Sequence, residues 1–185
     1  MTRNSWFFFF LLAVSVLVGQ NGKGKSFPDI EAATFEGKKV ALPGVCYGKM
    51  SLIGICFSRD AESALRTWLT PAYEEFIQKK DTVNGLGAVV NRDVNLYFFP
   101  MMSMLNQILE KQSREKIRKE TDPELWPHLI FYFGGIKEYK KSFAPVESGT
   151  PYFFVIDKKG IIVHVEKGAY TSKKMDAMLE FLDED

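Results

Sequence analysis

The stretch Gly149-Thr150-Pro151-Tyr152-Phe153-Phe154-Val155-Ile156-Asp157-Lys158-Lys159-Gly160 decides how this chain folds. Tyr152 to Ile156 is an unbroken apolar run of aromatic and β-branched residues, which reads as a buried strand. Pro151 has no N–H to give to a sheet ladder, so it belongs at the strand's first residue. A proline amide favours trans only weakly, which makes Thr150–Pro151 a candidate cis bond. Asp157-Lys158-Lys159-Gly160 reads as a tight turn and Ile161-Ile162-Val163-His164-Val165 as the returning strand. Together the two runs form a β-hairpin with a glycine-containing loop.

Around this hairpin the 185 residues are 46% hydrophobic and 25% charged, with a formal net charge of +1. That balance suits one globular domain and excludes a disordered or collagen-like chain. So small a net charge gives no footing for nucleic acid or an acidic membrane surface. The N-terminus departs from the rest. Arg3 precedes an apolar run from Trp6 to Val18, broken only by Ser15, and Gly19 to Lys25 then turns abruptly polar. The run is too short for an ordinary membrane span and has the length of a secretory hydrophobic region. Residues 1–19 are therefore expected to be a signal peptide, with an uncleaved anchor as the alternative. Residues 20–25 read as a flexible linker and 26–185 as the folded domain. The expected location is outside the cytoplasm, periplasmic or membrane-associated, with the membrane touched only through the signal or anchor segment.

Taken in order, Ile30 to Phe35 and Lys39 to Pro43 read as an N-terminal β-hairpin turned at Glu36-Gly37-Lys38. Met50 to Phe57 is a nearly continuous apolar run, as expected of a central strand. Ser58 or Asp60 can cap the helix that follows, in which Ala61, Leu65, Trp68 and Leu69 recur at helical spacing. Thr70-Pro71 interrupts it, and Ala72, Phe76 and Ile77 carry the stripe on. Asp81 to Gly87 reads as a loop, with Asn84-Gly85 a turn signal. Val94 to Phe99 reads as a strand stopped by Pro100, and Met101 to Lys119 as a helix with Met101, Met104, Leu105, Ile108 and Leu109 on one face. Asp122 to Pro127 is a connection, His128 to Phe133 a strand, and Ile136 to Phe143 a short helical turn. Ser172 is the expected cap of a last helix bearing Met175, Met178, Leu179 and Leu182. This alternation fits an α/β sandwich, a mixed central sheet flanked by helices.

Xaa-Thr-Pro, an apolar run, Ile156-Asp157 and a glycine-led second strand resemble the cis-proline hairpin of the thioredoxin-like superfamily. The entry Phe27-Pro28-Asp29-Ile30 with Gly37-Lys38-Lys39-Val40-Ala41-Leu42 is similar to the N-terminal hairpin of peroxiredoxins and membrane-associated thioredoxins. The resemblance implies a thioredoxin-like sandwich from Ser26 onward. It also implies that the proline loop faces the start of the helix after the first core strand. Oxidoreductases of that superfamily carry Cys-x-x-Cys there, where the helix end lowers the first thiol's pKa. Here the stretch is Phe57-Ser58-Arg59-Asp60-Ala61-Glu62-Ser63, and by strand register Asp60 and Ser63 stand near the two cysteine places. No catalytic residue is assigned. The candidate binding residues are Ser58, Arg59, Asp60 and Ser63 on one loop, with Thr150 and Pro151 on the other.

The remaining chemistry is sparse. Cys46 and Cys56 in an exported chain are a candidate disulfide pair. Cys56 inside an apolar run also reads as a small buried hydrophobe, and sequence separation fixes no Cα geometry. His128 and His164 lack metal-ligand spacing, so neither a metal nor a cofactor is expected. In the second half, Phe99-Pro100-Met101-Met102-Ser103, Asp122 to His128, Tyr132-Phe133-Gly134 with Tyr139, and Phe154 to Ile162 are similar to the mitochondrial ATP synthase assembly-factor family called Atp ten. Where that family carries a basic residue and a tryptophan after the glycine turn, this chain has Val163-His164. The resemblance implies a thioredoxin-like chaperone without a working Cys-x-x-Cys. The functional expectation is a monomeric, non-catalytic protein that binds or helps assemble an envelope or membrane protein. The alternative is a thiol-dependent oxidoreductase or peroxidase using Cys56 or Cys46.

Overall fold

The computed structural model describes residues 22–79, 81–83, 89–91, 93–102, 107–143 and 146–182. Strands β1 (Ile30–Thr34), β2 (Lys39–Leu42) and β3 (Ser51–Cys56) come first, followed by helices α1 (Arg59–Arg66) and α2 (Leu69–Tyr73). A π-helical turn, Glu74–Gln78, continues α2. Then come β4 (Asp81–Val83), β5 (Val89–Asn91), β6 (Asn95–Met102), α3 (Gln107–Glu120), β7 (Ile130–Phe133) and α4 (Lys137–Ser142). The hairpin β8 (Tyr152–Ile156) and β9 (Ile162–Lys167) and the helix α5 (Ser172–Leu182) close the chain.

Seven strands form one open mixed sheet in the order β2-β1-β7-β6-β3-β8-β9, and β4 pairs only with β5. The centre of the sheet lies where the sequence is most apolar. Every residue of β3 and of β8 is buried, and the two run antiparallel from Ser51↔Ile156 to Ile55↔Tyr152. On the other side β3 runs parallel to β6. Asp157 makes the hairpin turn, its Oδ1 accepting the N–H groups of Lys159 and Ile161, while Gly160 takes φ +81°. That left-handed conformation is why glycine ends the turn.

Alternation along the strands sends two cores to opposite faces. One holds Leu52, Cys56, Leu65, Trp68, Phe98, Phe153 and Met178 under α1, α2 and α5. The other holds Phe27, Ile53, Ile55, Phe99, Phe143 and Phe154, with Cys46 from the short 3-10 turn Gly44–Cys46. Gly54 is where the first core closes down on β3: a Cβ there would lie 2.5 Å from the Phe153 ring. Trp68 fills the same place, its ring 4.2 Å from that of Phe153 and its Nε1–H donating to Gly168 O at 3.0 Å.

Several sequence expectations give way. Thr150–Pro151 is trans, the lower-energy form of an X–Pro amide, and the cis bond among the described residues is Leu42–Pro43. Pro100 lies inside β6 rather than ending a strand: Cys56↔Pro100 is the last pair with β3, and Met101↔Tyr132 begins the pairing with β7. Phe98 already bridges to Leu129 on the β7 side, so Pro100 stands where the ladder with β3 ends. Met101 and Met102 are thus strand, α3 starts at Gln107, and 103–106, with Met104 and Leu105, lie outside the described residues. The expected loop after Asp81 contains the β4–β5 hairpin, whose three-residue strands are too short to show alternation. The last helix is capped by Thr171, whose Oγ1 accepts the N–H of Lys174, one residue earlier than expected. The expected signal segment 1–19 lies outside the described residues. Of the expected linker, Gly22 to Lys25 are described and packed on the domain. Gly24 N–H donates to Ile162 O at 2.7 Å, Ile162 N–H to Lys25 O at 2.9 Å, and Phe27 N–H to Gly160 O at 2.8 Å.

Candidate functional site

The candidate site begins where β3 runs out. Ser58 is extended (φ −155°, ψ 163°) and is the N-cap of α1, its Oγ accepting Ala61 N–H at 3.2 Å. The same hydroxyl donates to Ser148 O at 2.7 Å. One small side chain thereby satisfies a helix-end amide and ties the α1 terminus to the loop before β8. The two loops named from sequence do meet, and Ser58 is the contact.

The other named residues are placed as follows. Arg59 and Asp60 are exposed on the first turn of α1 and make no side-chain hydrogen bond or ion pair among the described residues. Asp60 and Glu62 put negative charge at the positive end of the helix. Glu62 is held by Arg66, whose Nη2 and Nε reach its Oε1 at 2.7 and 3.1 Å. Ser63 turns back to donate to Asp60 O at 3.1 Å, one turn into the helix and away from the cap. Thr150 donates to Glu147 twice, from its N–H to the carbonyl and from Oγ1 to the carboxylate at 3.3 Å. Pro151 is buried, and its carbonyl accepts Gly168 N–H at 2.9 Å, so that carbonyl is already occupied within the fold. The position that receives α1's amide is Ser58, two residues before the Asp60 place given by strand register. The reason is that the strand ends at Cys56 and Phe57 alone bridges it to the cap.

Sequence reading missed Lys140 here. Its Nζ donates to Ser148 Oγ at 2.8 Å and lies 5.7 Å from the Phe57 ring centroid, so α4 braces the loop junction from the side. The one signal was its place in a basic last turn, Lys140-Lys141, which also serves the helix dipole.

The two cysteines are elsewhere and apart. Both are free and buried, Cys46 at 0% exposure and Cys56 at 1%. They belong to cores on opposite faces of the sheet, so they do not meet at disulfide distance. The disulfide expected as one reading is thereby overturned. Burial pushes the Cys46 thiol up to about 11, against a partial pull from Ser51. Burial first, then the Glu62 carboxylate, pushes Cys56 up to about 12, despite the opposing Ser58 backbone and Arg66. A thiol held so high is protonated at neutral pH and is a poor nucleophile. Neither histidine has a ligand set about it. His128 Nδ1 lies 3.0 Å from Leu96 O, and His164 stacks on Phe181 with neither ring nitrogen hydrogen-bonded. Among the described residues no group of three or more His, Cys, Asp and Glu converges on a metal-sized site, and no helix is long and apolar enough to cross a membrane.

No family model matches the chain. No curated protein sequence matches it either. Solved structures do. The thioredoxin domain of a thiol-disulfide oxidoreductase from Bacteroides vulgatus superposes with a TM-score of 0.58 at 15% identity, over 86% of this chain and 97% of that one. A thio-disulfide isomerase from Thermus thermophilus gives 0.53 at 16%, over 88% and 98%. The exposed lipoprotein thioredoxin of Streptococcus pneumoniae gives 0.51 at 18%, over 85% and 100%. Likeness at such identities is one of architecture, and with the mixed sheet described above it makes this chain a protein of thioredoxin-like fold.

Proposed function

We propose that the chain is an exported, non-catalytic thioredoxin-like protein that binds or helps assemble another envelope protein. The observation that carries this reading is Ser58. It stands at the helix cap where a redox thiol would need to be, with its hydroxyl engaged on both sides, while both cysteines are buried with raised pKa values. A serine hydroxyl cannot exchange disulfides, and the scaffold without its thiolate is left with recognition. The assembly role rests on the resemblance of the second half to the ATP synthase assembly-factor family. Export rests on the apolar run behind Arg3, with residues 1–19 as signal peptide or anchor, 20–25 as connection and 26–185 as the domain. The exposed lipoprotein thioredoxin among the structural neighbours supports the same location.

On this reading the partner engages Arg59 and Asp60, exposed beside the Ser58–Ser148 contact, with Pro151 and Thr150 shaping the adjoining loop. Arg59 offers five donors to a carboxylate or carbonyl. Arg59→Ala and Pro151→Ala are expected to keep the circular dichroism of the wild type and to recover less of the partner from envelope membranes. If both stay folded and recover the same proteins with unchanged affinity, the loop junction is not the binding surface.

A second reading is favoured by the names of the neighbours, which are thiol-disulfide oxidoreductases and an isomerase. It makes the chain a thiol enzyme using Cys56 or Cys46. Insulin reduction or peroxide turnover above background, lost in Cys56→Ser or Cys46→Ser, would establish it and displace the first.

A further inference from the structure

A groove of about 570 Å³ opens beside the N-terminal hairpin, lined by Asp29, Glu31, Ala41, Tyr47, Tyr132 and Tyr139 among others. That volume falls in the roughly 300–1,000 Å³ span of ligand sites. Its only charged lining groups among the described residues are two exposed carboxylates, Asp29 and Glu31. Three tyrosines line it with them. Tyr132 and Tyr139 meet edge to face with centroids 5.1 Å apart. Tyr132 is fixed further by donating to Gly135 O at 3.3 Å and by closing over Gly134, where a Cβ would lie 2.6 Å from its oxygen. The Tyr139 hydroxyl is pushed up by burial first, then by Tyr132 and by the Glu31 carboxylate, which places that carboxylate's field on the tyrosine pair. Tyr47, one of the lining residues, is 58% exposed, a large apolar ring open to solvent. Exposed apolar surface beside a concave site marks an interaction surface.

We propose that this groove binds an arginine side chain presented by a basic segment of a partner polypeptide. Aromatic rings and two carboxylates in one concavity attract a cation, and no cationic side chain among the described residues lines the groove to favour an anion. The flat guanidinium suits the site better than an ammonium, because it stacks on a ring while its forked N–H groups reach a carboxylate. The groove is separate from the Ser58–Ser148 junction. Tyr139 looks into the groove and its neighbour Lys140 is bonded to Ser148, so α4 stands between the two sites and each stands or fails alone.

The test is calorimetric titration of the full chain with a capped hexaarginine peptide, with hexalysine and hexaglutamate as comparisons. Saturable binding is expected for hexaarginine, weaker binding for hexalysine and none for hexaglutamate. The Asp29→Asn/Glu31→Gln double variant is expected to weaken hexaarginine at least tenfold. Tyr47→Leu keeps bulk against the hairpin turn but removes the ring face, and is expected to weaken it about threefold to fivefold. All three positions are exposed, so unchanged melting curves are expected for both variants. The absence of saturable binding, as when the chain's own N-terminal residues fill the groove, overturns the proposal. So does a loss confined to the carboxylate variant, since the peptide is then held by charge alone and the tyrosine rings take no part. A free chain that sediments as a dimer and dissociates on Tyr47→Leu makes a second copy the occupant and overturns it as well.

Discussion

In the β3–β8 half of the sheet both strands are buried along their whole length, whereas β1 meets β7 at only Ala33↔Phe131 and Thr34↔Ile130. The weaker half is completed by side chains from α3. Arg114 Nη1 donates to Thr34 O at 2.9 Å and Phe35 O at 2.7 Å, with its guanidinium over the rings of Phe131 and Phe133. Arg118 lies over Phe35 and Trp126. Burial is diffuse and tolerates no truncation, while the hairpin edge depends on a few directed contacts and can leave surface open. The groove proposed to take an arginine lies at that edge, beside β1 and β2.

Truncating the buried half should have the largest consequence. Phe153→Ala removes the ring that packs on Gly54, Trp68 and Phe98, and should cost about 3–5 kcal/mol in urea or thermal unfolding. A loss near 1 kcal/mol would mean that the two halves do not differ in the way described. On the edge, Arg114→Met keeps a long apolar stem but gives up both carbonyl contacts. It should cost about 1–2 kcal/mol, discounted for the half-exposed site, with faster hydrogen exchange in β1 and little change in β3. Equal acceleration in both strands would erase the distinction.

The smallest effect concerns pH and sharpens the picture of the buried half. Burial lowers the His164 pKa from 6.5, with Glu166 and Glu180 pulling it up and Lys23 pushing it down. The ring stacks on Phe181 at 4.5 Å, and Glu166 Oε2 is 3.9 Å from Nε2. The unfolded chain binds the proton more readily, so this contribution is whole above pH 6.5 and is lost as pH falls through the lower folded value. The urea midpoint should drop on acidification, and His164→Phe should remove part of that drop. A remainder should persist from His128, whose pKa burial also lowers against the pull of Leu96 O. An unchanged acid slope in His164→Phe would show that the ring is solvated in solution.

The buried half was also the legible half. Met50 to Phe57 and Tyr152 to Ile156 carry their own strand signal, and Asp157 with Gly160 carries the turn, because each depends on neighbours in sequence. The helix start at Ser58 was readable for the same reason, whereas the meeting of its loop with the loop before Pro151 came from the resemblance to the thioredoxin-like superfamily. The edge was not. Nothing near Thr34 announces that Arg114 will claim its carbonyl, and nothing at Pro100 announces that the strand runs on to Met102. Tyr47, Tyr132 and Tyr139 are scattered along the chain and become one surface only through β1 lying against β7. The available clue was local: Val45 and Tyr47 sit in Pro43-Gly44-Val45-Cys46-Tyr47-Gly48, where two large apolar residues are bracketed by turn formers.

The hydrogen bonds from Gly24 and Phe27 to Ile162 and Gly160 have a mechanical meaning for a chain held by its N-terminus. They fasten the incoming segment to the turn end of β8, and the five residues of that strand then run toward the Ser148–Pro151 loop. At about 3.3 Å per residue the Ser58 pole lies roughly 17 Å from the point of attachment. That pole is therefore the end of β8 farthest from where the chain enters the domain.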